Sequence, residues 1–120
     1  MNHLIIYAHP SNESFCHAIK KTSKNTLTAQ GHDVKVRNLY ELNFNPVLSP
    51  EDLNSFKSGG ELPTDIQQEQ EHIRWADVIM FIYPIWWTGL PAIIKGYIDR
   101  SFSYGFAYAP DGGRRDSSYL

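Results

Sequence analysis

One cysteine, Cys16, stands among 120 residues, so no intrachain disulfide can staple the fold. Nowhere do the roughly 18 apolar residues of a membrane span run together. The stretch Leu4 to Ala8 is too short for the apolar core of a signal peptide and has no cationic segment before it. Charge of one sign is scarce as well. The net charge is −2, lysines and arginines are scattered, and no basic run interleaves with aromatics, so the footprint of a nucleic-acid binder is missing. Neither GxGxxG nor a P-loop pattern occurs, which argues against a dinucleotide fingerprint. His3, His17, His32 and His72 are not spaced as zinc ligands, and no metal is expected. A soluble cytoplasmic protein follows from these absences as the expectation.

The composition, 42% hydrophobic and 20% charged, is that of a globular chain with material for one domain over residues 1–120. A chain of this size buries roughly two-thirds of the surface it exposes when unfolded. Leu4 to Ala8 is a continuous apolar run that predicts a strand covered on both faces. Ser11 or Asn12 is the expected cap of a helix carrying Phe15, Ala18, Ile19 and Thr22 on its inner stripe, with Gly31 as its stop. Val34 and Val36 alternate with Lys35 and Arg37, a strand with one wetter face at the sheet edge.

Residues 40–63 are rich in breakers, with one short helix expected behind Ser49, Pro50 and Asp52. Thr64 and Gln67 fit a capping box for a helix with Ile66, Gln70 and Ile73 on one face. Val78 to Tyr83 predicts a second fully covered strand, closed by Pro84. A helix follows, with Pro91 near its start and Leu90, Ile93, Ile94, Tyr97 and Ile98 at helical spacing. Strands alternating with helices imply a parallel, doubly wound α/β sheet, which binds ligands outside the C-terminal strand ends.

Two segments compete for that position. In the first, His9 to Phe15, free N–H groups and the positive end of the following helix favour an anion such as phosphate, with His9, Ser11 and Ser14 as added donors. Helix capping alone also accounts for this turn. In the second, Pro84 to Gly89, the adjacent indoles of Trp86 and Trp87 are hard to place in one core because neighbouring side chains diverge. They suit a planar ligand, with Gly89 allowing close approach. Cys16 has no partner that would make it a thiolate and reads as a structural thiol.

Together, YAHPSNESF from Tyr7, YPIWWTGLPAIIKGYIDRSFSYGFAY from Tyr83 and DIQQEQEHIRWAD from Asp65 resemble the flavodoxin-like NAD(P)H:quinone oxidoreductase family. The resemblance implies a flavin, FAD or FMN, with its phosphates on His9, Ser14, Phe15 and Cys16 and its ribityl chain against Gln70. The ring would lie along Pro84, Ile85, Trp86, Trp87 and Thr88. Trp87 and Tyr108 would be the catalytic-pocket residues, Tyr108 reaching across a homodimer. The implied reaction is ping-pong hydride transfer from NAD(P)H through flavin to a quinone. A flavin- or nucleotide-binding regulatory module, for example of a membrane potassium efflux system, and an inactive truncated product are the alternatives. Family members continue with further strands and a Gly-rich loop. Residues 110–120, PDGGRRDSSYL, match none of this and are expected to be a non-family tail. With suitable codons, a one-base shift turns this stretch into the PKGLL common in the family. About three strands are therefore expected, with the C-terminal ones missing.

Overall fold

A computed structural model describes residues 1–103 and 105–108. The expectations for residues 110–120, a non-family tail and a shifted frame, lie outside the described residues.

Strand β1 (Asn2–Tyr7) is the middle of a three-stranded parallel sheet, with β2 (Asp33–Asn38) on one side and β3 (Val78–Ile82) on the other. Ile5 sits opposite Val36 in β2 and Met80 in β3. The placement of Val34–Arg37 at a sheet edge and of Leu4–Ala8 at the centre agrees with their patterns. An alternating polar strand can spare one wet side; a run that is apolar throughout cannot. β3 departs from the expectation of a fully covered strand: despite its all-apolar run it pairs with β1 alone among the described residues, at an edge of the sheet, and four of its five residues are half-buried.

Successive β1 side chains enter opposite layers. Leu4, Ile6 and Ala8 join Leu39, Phe44, Ile66, Ile73, Ile94 and Tyr97 in the larger core. This layer is covered by α3 (Thr64–Trp75) and α4 (Ala92–Ser101). Ile5, Tyr7 and Ile82 form the smaller core on the other face, beneath α1 (Phe15–Ala29). The sheet is thus doubly wound, as expected.

The breaker-rich stretch holds one helix, α2 (Pro50–Ser58), and its capping box is present. Asp52 N–H donates to Ser49 Oγ at 3.1 Å, and Ser49 N–H donates back to Asp52 Oδ2 at 3.1 Å. Arg100 on α4 fastens this segment. Its guanidinium donates to Asp52 Oδ2 at 2.9 Å, to Asp65 Oδ2 at 2.6 Å and to the carbonyl of Asn45 at 2.8 Å. Arg100 and Asp52 are each 4% exposed, so this pair is held out of water. Burial alone would raise the Asp52 carboxyl pKa, but hydrogen bonds from Arg100 and Ser49 and the Arg100 charge hold it below the ordinary carboxylate range.

Three local expectations need correction. α1 is capped by Ser14, which accepts from His17 N–H at 3.1 Å, and not by Ser11 or Asn12. Ser11 is held in the preceding turn by the His9 ring. The inner face of α1 is also reversed. Phe15 is 81% and Ile19 38% exposed, while Cys16, His17, Lys20, Ser23 and Leu27 turn half-buried toward the sheet. Lys20 covers Tyr7 with its ammonium 4.9 Å from the ring centre, so a polar side chain does the packing that apolar counting assigned elsewhere. Finally, α3 has no side-chain cap. Gln67 turns its amide back to the carbonyl of Leu62 at 2.6 Å instead of closing a box with Thr64.

Candidate functional site

The C-terminal ends of β1 and β3 deliver two turns to the same edge of the sheet. After β1, the chain from His9 to Ser14 is knitted by its own side chains. Ser11 N–H donates to His9 Nδ1 at 2.9 Å, and Glu13 N–H donates to Ser11 Oγ at 3.1 Å. Because Nδ1 accepts, the neutral ring carries its hydrogen on Nε2, which is left as a donor. The main-chain N–H groups of Phe15 and Cys16 fall in the first turn of α1, where no intrahelical acceptor exists. A positive helix end, a ring donor and the Ser14 cap therefore converge.

After β3, Pro84 leads into a tight hairpin. Trp86 and Gly89 exchange N–H to carbonyl bonds at 3.2 and 3.1 Å. The two residues between them have positive φ, 51° at Trp87 and 61° at Thr88. This is the backbone that Asn-Gly ordinarily supplies in a two-residue hairpin. Thr is β-branched and costs roughly 1–2 kcal/mol there. Its hydroxyl donates to the carbonyl of Trp87 at 2.6 Å, a local bond that offsets part of the strain. The turn thrusts Trp87 outward, 99% exposed, with Ile85 at 75% and Trp86 at 42%. Uncovered apolar area of this kind, rimmed by polar backbone, marks a binding surface.

The two turns touch. The His9 and Trp86 rings meet edge to face with centres 5.9 Å apart. On the β2 side of His9 lies an open cleft of about 470 Å³ lined by His9, Pro10, Asn12, Asn38, Tyr40 and Glu41.

Among the residues singled out from sequence, His9, Ser14, Phe15, Pro84, Ile85, Trp86, Trp87 and Thr88 all lie on these two turns or the first turn of α1. Cys16 is half-buried against the smaller core. Gln70 sits elsewhere. It is 2% exposed, and its amide donates to the Ser101 carbonyl at 3.2 Å and to Ser103 Oγ at 3.0 Å. It lines a separate cleft with Ser55 to Gly60, Arg74 and Phe106. Tyr108 is half-exposed in a turn closed by a 2.8 Å bond from Gly105 N–H to its carbonyl. The strain at Trp87 and Thr88 was not readable from sequence, since neither residue type announces positive φ.

Comparison with known proteins gives a consistent answer. Residues 1–119 match the family model described as the flavodoxin-like fold. An uncharacterized NAD(P)H oxidoreductase of Haemophilus influenzae is 50% identical over 114 residues, covering 94% of this chain and 56% of that protein. NAD(P)H dehydrogenase [quinone] 1 of Rattus norvegicus is 36% identical over 88% of this chain and 44% of its own length. Among solved structures, the NAD(P)H:quinone oxidoreductase from Methanothermobacter marburgensis superposes with a TM-score of 0.86 at 40% identity, covering 91% of this chain and 57% of that one. The chain spans about half the length of the relatives it matches.

Proposed function

Because this chain belongs to the flavodoxin-like fold family, we propose that it carries the flavin-binding half of an NAD(P)H:quinone oxidoreductase. The observation that supports this most directly is the His9–Trp86 contact. It joins a helix N-terminus suited to phosphate with an uncovered aromatic shelf at the β1/β3 junction, where open α/β sheets take their ligands. A flavin, as FAD or FMN, has both a phosphate and a flat apolar ring, and the residues present fit it. His9, Ser14, Phe15 and Cys16 would hold the phosphate end, and Pro84 to Thr88 the ring. The names of the relatives from rat and Methanothermobacter support NAD(P)H as donor and a quinone as acceptor.

The chemistry a bound flavin supplies is two-electron transfer, hydride in from the nicotinamide and hydride out to the acceptor. The chain's own part is placement. The His9 Nε2–H and the first-turn amides would donate hydrogen bonds to the phosphate, and the rigid hairpin fixes the height of the indoles. Trp87 walls the pocket that donor and acceptor use in turn. Gln70, which lines a separate cleft with its NH2 group engaged by Ser101 and Ser103, is left out of the ring and phosphate contacts proposed for this site. The reading extends to a homodimer in which the half-exposed Tyr108 enters the partner's pocket, and to the cytoplasm, where the nicotinamide donor is available. Absorbance of the purified chain in the flavin bands, followed by NADPH oxidation with a quinone, tests it. A yellow, active protein whose flavin affinity drops at least ~10-fold in Trp86→Ala is expected from the loss of a stacked ring. A colourless protein that takes up neither FMN nor FAD overturns it.

A further inference from the structure

The cleft that holds Gln70 has no part in the flavin reading. It measures about 450 Å³ and shares no lining residue with the turns at His9 and Trp86. That volume lies in the range of sites for small organic ligands, and a bare ion would leave most of it empty. Two cations stand on it. Lys57 in the last turn of α2 and Arg74 in the last turn of α3 enter no ion pair among the described residues. Arg74 holds its guanidinium carbon 4.6 Å from the centre of the Phe106 ring. A ring attracts the charge but offers no oxygen lone pair, so the planar fork of N–H donors lacks an acceptor within the fold.

The rest of the lining is of two kinds. Phe56 is half-buried on the cleft yet joins neither of the two cores, so its ring serves no interior packing. With Phe106 it makes an aromatic wall. Gln70 and Ser103, 2% and 3% exposed, are the buried polar part. Both amide hydrogens of Gln70 are engaged, by the Ser101 carbonyl and by Ser103 Oγ. The Gln70 carbonyl oxygen is left as an acceptor, and Ser103, which accepts through Oγ, keeps its own hydrogen to donate. Glu61 and Glu71 line an adjoining cleft that shares Gln70 and Arg74 with this one, and their charge favours the Lys57 side of Arg74 for any anion.

A ligand that answers all of these groups carries an anion for the two cations, a flat ring for the aromatic wall and an N–H donor for Gln70. Phosphate matches the fork of an arginine bidentately, and a heterocyclic base supplies both the ring and the donor. We propose that this cleft is a second site, for a nucleotide, with the phosphate on Arg74 and Lys57 and the base against Phe56 and Phe106. It does not depend on the flavin reading.

The test is calorimetric titration of the 120-residue chain with AMP, and with adenosine and inorganic phosphate as its two halves. AMP is expected to bind at one site per chain, with each half at least ~10-fold weaker because it makes only part of the contacts. Arg74→Lys keeps the charge and removes the fork, and should weaken AMP at least ~10-fold, as loss of a charge-assisted hydrogen bond does. Phe56→Leu should weaken AMP and leave inorganic phosphate unchanged. Arg74 is exposed and Phe56 lies outside both cores, so the melting temperatures of these variants should stay near that of the parent chain. His9→Ala, and Lys21→Ala on the exposed face of α1, should leave AMP binding as it was. Displacement of AMP by NAD⁺ traces the nucleotide to the adenylate end of the nicotinamide donor, and its failure to a free nucleotide; both support the site. Absence of AMP binding, or AMP binding that Arg74→Lys leaves intact and His9→Ala abolishes, overturns it.

Discussion

At the scale of single residues, Thr88 and Trp87 are held where their own chemistry resists. Positive φ at a β-branched residue is sustained only when the surroundings fix it, and such strain gathers at binding sites. Here the paired bonds between Trp86 and Gly89 impose it. Thr88→Asn, which tolerates that backbone, is expected to stabilise the protein by about 1 kcal/mol, read as a higher urea midpoint. A lower midpoint would mean that the bond from the Thr88 hydroxyl to Trp87 outweighs the strain. Asp52 presents the opposite case, a residue whose charge is needed. Asp52→Asn leaves Arg100 with the half-exposed Asp65 as its remaining carboxylate, so the loss of the charged hydrogen bond should cost about 2 kcal/mol at neutral pH in chemical denaturation.

Among the elements, α4 shows how a loop of poor propensity becomes ordered. Gly96 lies against Pro46 so closely that a Cβ on it would fall 2.2 Å from the Pro46 carbonyl oxygen. Gly96→Ala must therefore push the 40–63 segment off the helix. A loss of about 2–3 kcal/mol, of the size seen for overpacking, is expected in thermal or urea unfolding. The strands, α3 and α4 were legible in sequence because continuous or evenly spaced apolar residues have one physical use. α1 was legible as a helix and misread as to its face. Phe15 and Ile19 drew the eye, but the stem of Lys20 and the ring of His17 do the packing on Tyr7. Periodicity counts apolar residues and is blind to long polar ones whose stems cover an aromatic ring. The same blindness hid Arg100, Asp52 and Glu69. Their roles arise from pairing across 48 or 32 residues of chain, as in the Arg100–Asp52 and Arg37–Glu69 bonds.

For the whole molecule, the polar ties set the response to acid. The Asp52 carboxyl is held below its ordinary pKa in the folded state, so its contribution is fully present above the unfolded value of about 3.9 and is lost as pH falls through the folded value. Stability should therefore fall on acidification below about pH 4, and Asp52→Asn should flatten that part of the profile. The candidate site was legible as two segments, and the fold supplied what the sequence could not, their contact through His9 and Trp86. It also separated Gln70 from them.

The central position of β1 has a consequence in time. The strand precedes both of its partners in the chain, and its neighbour β3 begins some 70 residues later, at Val78. During synthesis, the most apolar segment of the sheet must wait, half-paired, until Val78–Ile82 has emerged. Closure of that long-range parallel pair is then the slow event of folding, and the interval before it is when the nascent chain most needs protection from association.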